Sequence, residues 1–168
     1  MAGILSYVKS LKDTIGAIVI SDYHKGVISR ELIEETKSVT RNSKIYLCVD
    51  PKQSDFSVYS GVYVITPNHL EAQRAAGIEM QSIDDLLKIG ETLLKKYDFQ
   101  SLLVTRGEEG MSLFERGRKV LHSHFPAQAK EVYDVTGAGD TAIGVLALAL
   151  AAQGNLRDAT SLANSAAG

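Results

Sequence analysis

The sequence predicts an α/β domain built on a mostly parallel sheet, and three observations carry that expectation. Short apolar runs at 17–20, 45–49, 62–65 and 102–104 alternate with stretches whose apolar residues repeat at helical spacing. The runs are continuous rather than alternating, as in strands covered on both faces. Each run also ends abruptly in polar or special residues: Ser21-Asp22, Asp50, Thr66 to Asn68, and Thr105 to Gly107. In a parallel sheet those carboxyl ends share one edge, and ligands bind outside it. Asp22, Asp50, Asn68, Glu71, Thr105 and a glycine turn at 137–139 are therefore expected to converge.

In chain order, residues 4–15 place Ile4, Leu5, Val8, Leu11 and Ile15 on one helical face. After the run at 17–20, Ser29 can cap a helix that turns Leu32, Ile33 and Thr36 inward. Helical patterns follow at 69–76 and 82–97. In the second, Ile83, Leu86, Leu87, Leu94 and Tyr97 repeat behind a cap-like Ser82. Met111 to Phe125 reads as two strands joined at Arg116-Gly117-Arg118, a hairpin. A β-type run, Glu131 to Asp134, leads into a turn at Gly137 and Gly139. An apolar helix pattern, Ala142 to Ala152, leads out of it, with Gly154 as its stop.

The 168 residues suffice for one domain with a sizeable core. A net charge of −2 leaves no basic footprint for nucleic acid. The single cysteine, Cys48, excludes a disulfide within the chain, which fits a reducing, cytoplasmic setting. No run reaches the roughly 18 apolar residues of a membrane span, and the N-terminus lacks the features of a signal peptide.

The chemistry concentrates in Asp134-Val-Thr-Gly-Ala-Gly-Asp-Thr141. A glycine turn entering a helix exposes unpaired N–H groups at the positive end of the helix dipole, which attracts anions. A bare phosphate loop gains nothing from a carboxylate, yet Asp140 sits there. Stabilising a transferring phosphoryl group while accepting a proton from an alcohol needs both features. Residues 137–142 also match the dinucleotide pattern G-x-G-x-x-A, but Asp140 would repel a pyrophosphate, and no strand with a ribose-binding acid follows. Asn68-His-Leu-Glu71 is a capping box, and equally a pair that can hold hydrated Mg²⁺ against phosphate oxygens. Thr105-Arg-Gly-Glu-Glu-Gly110 is a glycine-bearing turn, in which Gly107 lets a nucleotide approach the backbone and Thr105 offers a hydroxyl. His122 and His124 share a strand face without further ligands and read as structural or exposed.

Asn68-x-x-Glu71, Thr105-x-Gly107-x-x-Gly110 and Asp134-x-Thr-Gly-Ala-Gly-Asp140, in that order, resemble the ribokinase-like (PfkB) sugar kinases. Ser21-Asp-Tyr-x-Lys-Gly26 and Val49-Asp-Pro-Lys52 are similar to the subgroup that phosphorylates heptose 7-phosphate in lipopolysaccharide-core synthesis. The resemblance implies a three-layer α/β/α fold whose N-terminal strands and β lid are missing, with residues 1–168 forming the nucleotide-side portion of the kinase domain. It implies ATP, Mg²⁺ and a monovalent cation as cofactors, a sugar phosphate as substrate, and a homodimer in the full-length protein. By motif, Asp140 resembles the catalytic base, and Gly137, Ala138 and Gly139 the anion hole. Asn68 and Glu71 resemble the metal–phosphate site, and Thr105, Gly107, Gly110 and Asn164 the nucleotide contacts. Asp22, Lys25 and Lys52 are candidates for the sugar phosphate. A nucleotide-binding piece without activity and a dinucleotide-binding domain are the competing expectations.

Overall fold

The computed structural model describes residues 2–128 and 137–168. The expected run at 131–134 and the residues Asp134 and Thr136 of the glycine motif lie outside the described residues. Among the described residues, six strands form one sheet in chain order: β1 (Ala17–Ser21), β2 (Tyr46–Asp50), β3 (Val64–Ile65), β4 (Ser101–Thr105), β5 (Met111–Glu115) and β6 (Leu121–Phe125). The pairs from β1 to β4 are parallel, while β4–β5 and β5–β6 are antiparallel.

Neighbouring residues of the central strands point to opposite faces, as the strand period of two requires. Ile65, Leu102 and Phe114 join Ile33, Phe56, Leu86, Ile89 and Leu93 on one face. These come largely from α2 (Arg30–Thr40) and α4 (Ile83–Tyr97), with α3 (His69–Ala76) alongside. Val64, Leu103 and Leu113 join Ile143, Leu146, Leu150 and Ala163 on the other, under α5 (Ala138–Ala151) and α6 (Leu156–Ala167). The result is the three-layer arrangement expected. Caps set the helix starts: Ser29 accepts from Leu32 N–H and Ser82 from Asp85 N–H. Gly90 lets α4 lie close over β5, since a Cβ there would collide with the Phe114 ring.

Four elements depart from the expectation. α1 (Ala2–Leu11) stops before Ile15, because the N–H groups of Thr14 and Ile15 both turn back to Leu11 O. Ile4, expected inward, is 51% exposed. β1 is an edge strand, and Val19 is correspondingly exposed. β3 shrinks to two residues, because an unforeseen 3₁₀ turn at Phe56–Tyr59 and a left-handed Gly61 occupy the approach to it. α5 begins at Ala138, inside the glycine motif, four residues before its apolar pattern.

Candidate functional site

The carboxyl edge of the sheet gathers most of the predicted residues. Ser21 pairs with Asp50 at the ends of β1 and β2. Asn68 bridges to Thr105 in parallel register, with Thr105 N–H donating to Pro67 O at 3.0 Å. Asn68 and Glu71 form the full capping box of α3: Asn68 Oδ1 accepts from Glu71 N–H, and Glu71 Oε2 accepts from Asn68 N–H, each at 2.9 Å. The other carboxylate oxygen, Glu71 Oε1, accepts from Lys52 Nζ at 2.7 Å.

The glycine motif divides its work differently from the sequence expectation. Gly137 alone turns left-handed, at φ 85°, as the N-cap of α5, and it supplies no side-chain cap. Gly139 is already helical, and Asp140 lies in the first helical turn. A Cβ built on Gly137 or Gly139 meets no described residue within 4 Å, and no described side chain caps this helix end. A helix N-terminus without a side-chain cap favours negative charge. Asp140 is exposed, and it accepts from Tyr23 Oη at 2.9 Å through Oδ2 and from Ser21 Oγ at 3.4 Å through Oδ1.

The charges beneath this edge are coupled. Burial pushes the Asp50 carboxyl up to about 6; Lys52 opposes the rise, and the carboxylates of Glu71, Asp140 and Asp22 add to it. Burial pulls the Lys52 ammonium down, but the Glu71 hydrogen bond and the carboxylates of Asp50, Glu71 and Asp140 outweigh it, leaving Lys52 above its ordinary value. Lys52 is thus the cation that faces the acids of this edge.

The remaining predicted residues have these surroundings. Asp22, expected toward the sugar phosphate, is 2% exposed and turned inward. Its carboxylate accepts from Tyr59 Oη at 2.5 Å, Gln53 Nε2 at 2.8 Å and His24 N–H at 2.7 Å. Burial opposes its ionisation, but these hydrogen bonds prevail and hold it below the usual carboxylate range. Lys25 is exposed on the same loop. No described residue lies within 4 Å of a Cβ at Gly107 (φ 59°), whereas a Cβ at Gly110 would strike the backbone of Phe125 and Ala127. Asn164 is buried, and its Nδ2 donates to Pro126 O at 2.8 Å, fastening α6 to the end of β6. Sequence reasoning passed over Tyr23, Gln53 and Tyr59. The only signal for Tyr23 was its place inside the Ser21–Gly26 segment, because the contact with Asp140 spans 117 residues.

Residues 6–168 match the model of the pfkB family carbohydrate kinases. The chain belongs to that family. PfkB relatives with curated descriptions include the bifunctional protein HldE of Geobacter sulfurreducens, 46% identical over 165 residues, which cover 98% of this chain and 33% of that protein. The HldE of Salmonella paratyphi B is 46% identical over 155 residues, covering 92% and 31% respectively. The chain therefore spans about a third of the length of these relatives. Among solved PfkB-fold structures, the tetrameric inhibited form of phosphofructokinase-2 from Escherichia coli superposes with a TM-score of 0.79 at 19% identity, over 99% of this chain and 54% of that one. Arabidopsis thaliana ribokinase, complexed with ribose and ATP, gives 0.75 at 20% identity, over 99% and 52%. At such identities the likeness establishes the ribokinase-like fold.

Proposed function

We propose that residues 1–168 are the nucleotide-side portion of a PfkB-type sugar kinase domain acting on heptose 7-phosphate. In the proposed reaction the sugar hydroxyl oxygen bonds to the γ-phosphorus of ATP, the bond from that phosphorus to the β–γ bridging oxygen breaks, and ADP leaves. Asp140 takes the hydroxyl proton, and the product is the 1,7-bisphosphate. One observation carries the reading: the N-terminus of α5, which no described side chain caps and where no described residue lies within 4 Å of a Cβ at Gly137 or Gly139, holds the exposed Asp140 carboxylate in its first turn. The helix amides of 138–140 would meet charge developing on the transferring phosphoryl group. Lys52 supplies a positive charge at the same edge, and Gly107 a backbone approach for the nucleotide.

The residues fit Mg²⁺ in a particular way. Asn68 and Glu71 are tied to each other and to Lys52, and no group of three or more metal-binding side chains gathers among the described residues. That donor set would suit a hydrated ion held chiefly by phosphate oxygens, with Asn68 and Glu71 as the residues to hold it. The ion would neutralise phosphate charge. A monovalent cation completes the proposal; phosphofructokinase-2 from Escherichia coli, of the same fold, was solved in complex with potassium. The full-length kinase is proposed as a cytoplasmic homodimer, and no described helix is long and apolar enough to cross a membrane.

The second reading, a nucleotide-binding piece without turnover, is favoured for the isolated chain by its span of a third of the HldE relatives. Orienting the acceptor can contribute about 7–11 kcal/mol to lowering a barrier, and it requires both binding surfaces. Calorimetric titration with MgATP and with NAD, paired with a coupled ADP-release assay with and without heptose 7-phosphate, tests these statements. MgATP should bind and NAD should not, and the 168-residue chain should turn over little. Preferential NAD binding would overturn the kinase reading. Robust sugar-dependent turnover by the chain would place the acceptor site within it.

A further inference from the structure

Asp140 projects from an exposed helical turn, and a carboxylate there would ordinarily sample several rotamers. A general base needs one oxygen held toward the proton it removes. The structure supplies the restraint from far along the chain. Tyr23 Oη donates to Asp140 Oδ2 at 2.9 Å, and Ser21 Oγ reaches Oδ1 at a longer 3.4 Å.

The segment that presents Tyr23 is itself anchored. Backbone pairing continues one residue beyond β1, where Asp22 N–H donates to Asp50 O at 3.0 Å. In extended chain, successive side chains point to opposite sides. Asp22 therefore turns into the protein, where Tyr59, Gln53 and the His24 N–H fix its carboxylate, while Ser21 and Tyr23 turn out together toward Asp140. His24 at φ 53° and Gly26 at φ 80° then fold the segment back. The Tyr23 side chain is otherwise exposed, at 59% for the residue, so core packing does not explain its orientation. The donor's chemistry is also suited to the task. A phenol orients a carboxylate without neutralising it, whereas the nearby ammonium of Lys52 is committed to Glu71.

We propose that Tyr23 is a positioning residue for Asp140: its hydroxyl fixes the carboxylate through Oδ2 and leaves Oδ1, weakly held by Ser21, to meet the acceptor hydroxyl. This inference rests on Asp140 being the base, so the test separates the two. In the full-length kinase, Tyr23→Phe, Asp140→Asn and the double variant are compared for kcat, KM and melting temperature. Tyr23→Phe should lower kcat about ten- to a hundredfold, the effect of one hydrogen bond to a charged group, with KM for ATP and melting temperature unchanged. In the Asp140→Asn background the same change should cost nothing further, since residues that act as a unit are not additive. An equal loss in both backgrounds, or a near wild-type Tyr23→Phe beside an inactive Asp140→Asn, overturns the positioning role and leaves the base standing. A near wild-type Asp140→Asn overturns the base and the inference with it. On the 168-residue chain itself, carbon NMR of the Asp140 carboxyl gives a readout free of turnover. Tyr23→Phe should move that resonance, and an unmoved resonance counts against the contact.

Discussion

Asp22→Asn is expected to lower the melting temperature of the chain by about 6–12 °C at pH 7. The carboxylate is 2% exposed and accepts three hydrogen bonds, two of them from the side chains of Tyr59 and Gln53. An asparagine offers one acceptor oxygen and turns an NH₂ group toward donors. Each hydrogen bond to a charged group is worth about 1.5–3 kcal/mol, and a stranded buried donor costs about 1–3 kcal/mol. One lost bond and one stranded donor, partly relieved by rotation of the Tyr59 hydroxyl, come to about 3 kcal/mol. For a chain of this size each kcal/mol moves the midpoint by roughly 2–4 °C. The pH dependence follows from the direction of the shift. The hydrogen bonds hold the folded carboxyl below its ordinary value, so its stabilisation is fully present above the unfolded carboxyl value near pH 4 and is lost as pH falls through the lower folded value. Thermal and urea unfolding by circular dichroism should therefore show a gap between wild type and variant that is full at pH 7 and narrows below about pH 4. A variant melting within about 2 °C of wild type at pH 7, or a gap that widens on acidification, would refute the anchoring role.

Asp50→Asn should act in the opposite direction. Burial raises the folded carboxyl to about 6, so the cost of ionising it grows between about pH 4 and pH 6 and is complete above that. The variant should equal wild type below pH 4 and exceed it by about 1–2 kcal/mol at pH 7 in urea unfolding, a figure discounted for partial exposure. Gly139→Val should weaken MgATP binding at least tenfold by titration calorimetry while leaving the fold intact, because no described residue lies within 4 Å of a Cβ at this position of the helix end; an equal loss of melting temperature with unchanged affinity would assign this glycine to folding alone. Gly137→Ala should instead cost about 1–2 kcal/mol of stability, the penalty for a left-handed alanine, readable as a shifted urea midpoint.

Local signals in the sequence were legible because their physics is local. Ser29, Ser82 and the Asn68–Glu71 box cap helices through partners three residues away, and the hairpin at 116–118 follows from turn composition and flanking strands. The shared carboxyl edge followed from topology, which sets Ser21 beside Asp50 and Asn68 beside Thr105. What escaped depends on packing between distant segments. Whether Ile4 is inward depends on what lies over α1. The inward turn of Asp22 depends on Tyr59 and Gln53, 37 and 31 residues further on. The close packing at Gly110 and the Asn164 bond to Pro126 O also join segments distant in sequence. The division of labour between Gly137 and Gly139 needed backbone angles.

The most direct test of the central claim pairs one variant with two readings in the full-length kinase: Asp140→Asn, its turnover with heptose 7-phosphate, and its MgATP dissociation constant. A base that abstracts the hydroxyl proton from a helix end that separately binds phosphate predicts a rate lower by about 10²–10⁴ with affinity for MgATP nearly intact. Phosphorylation at close to the wild-type rate would contradict the assignment of Asp140. So would a loss of turnover explained entirely by lost MgATP binding.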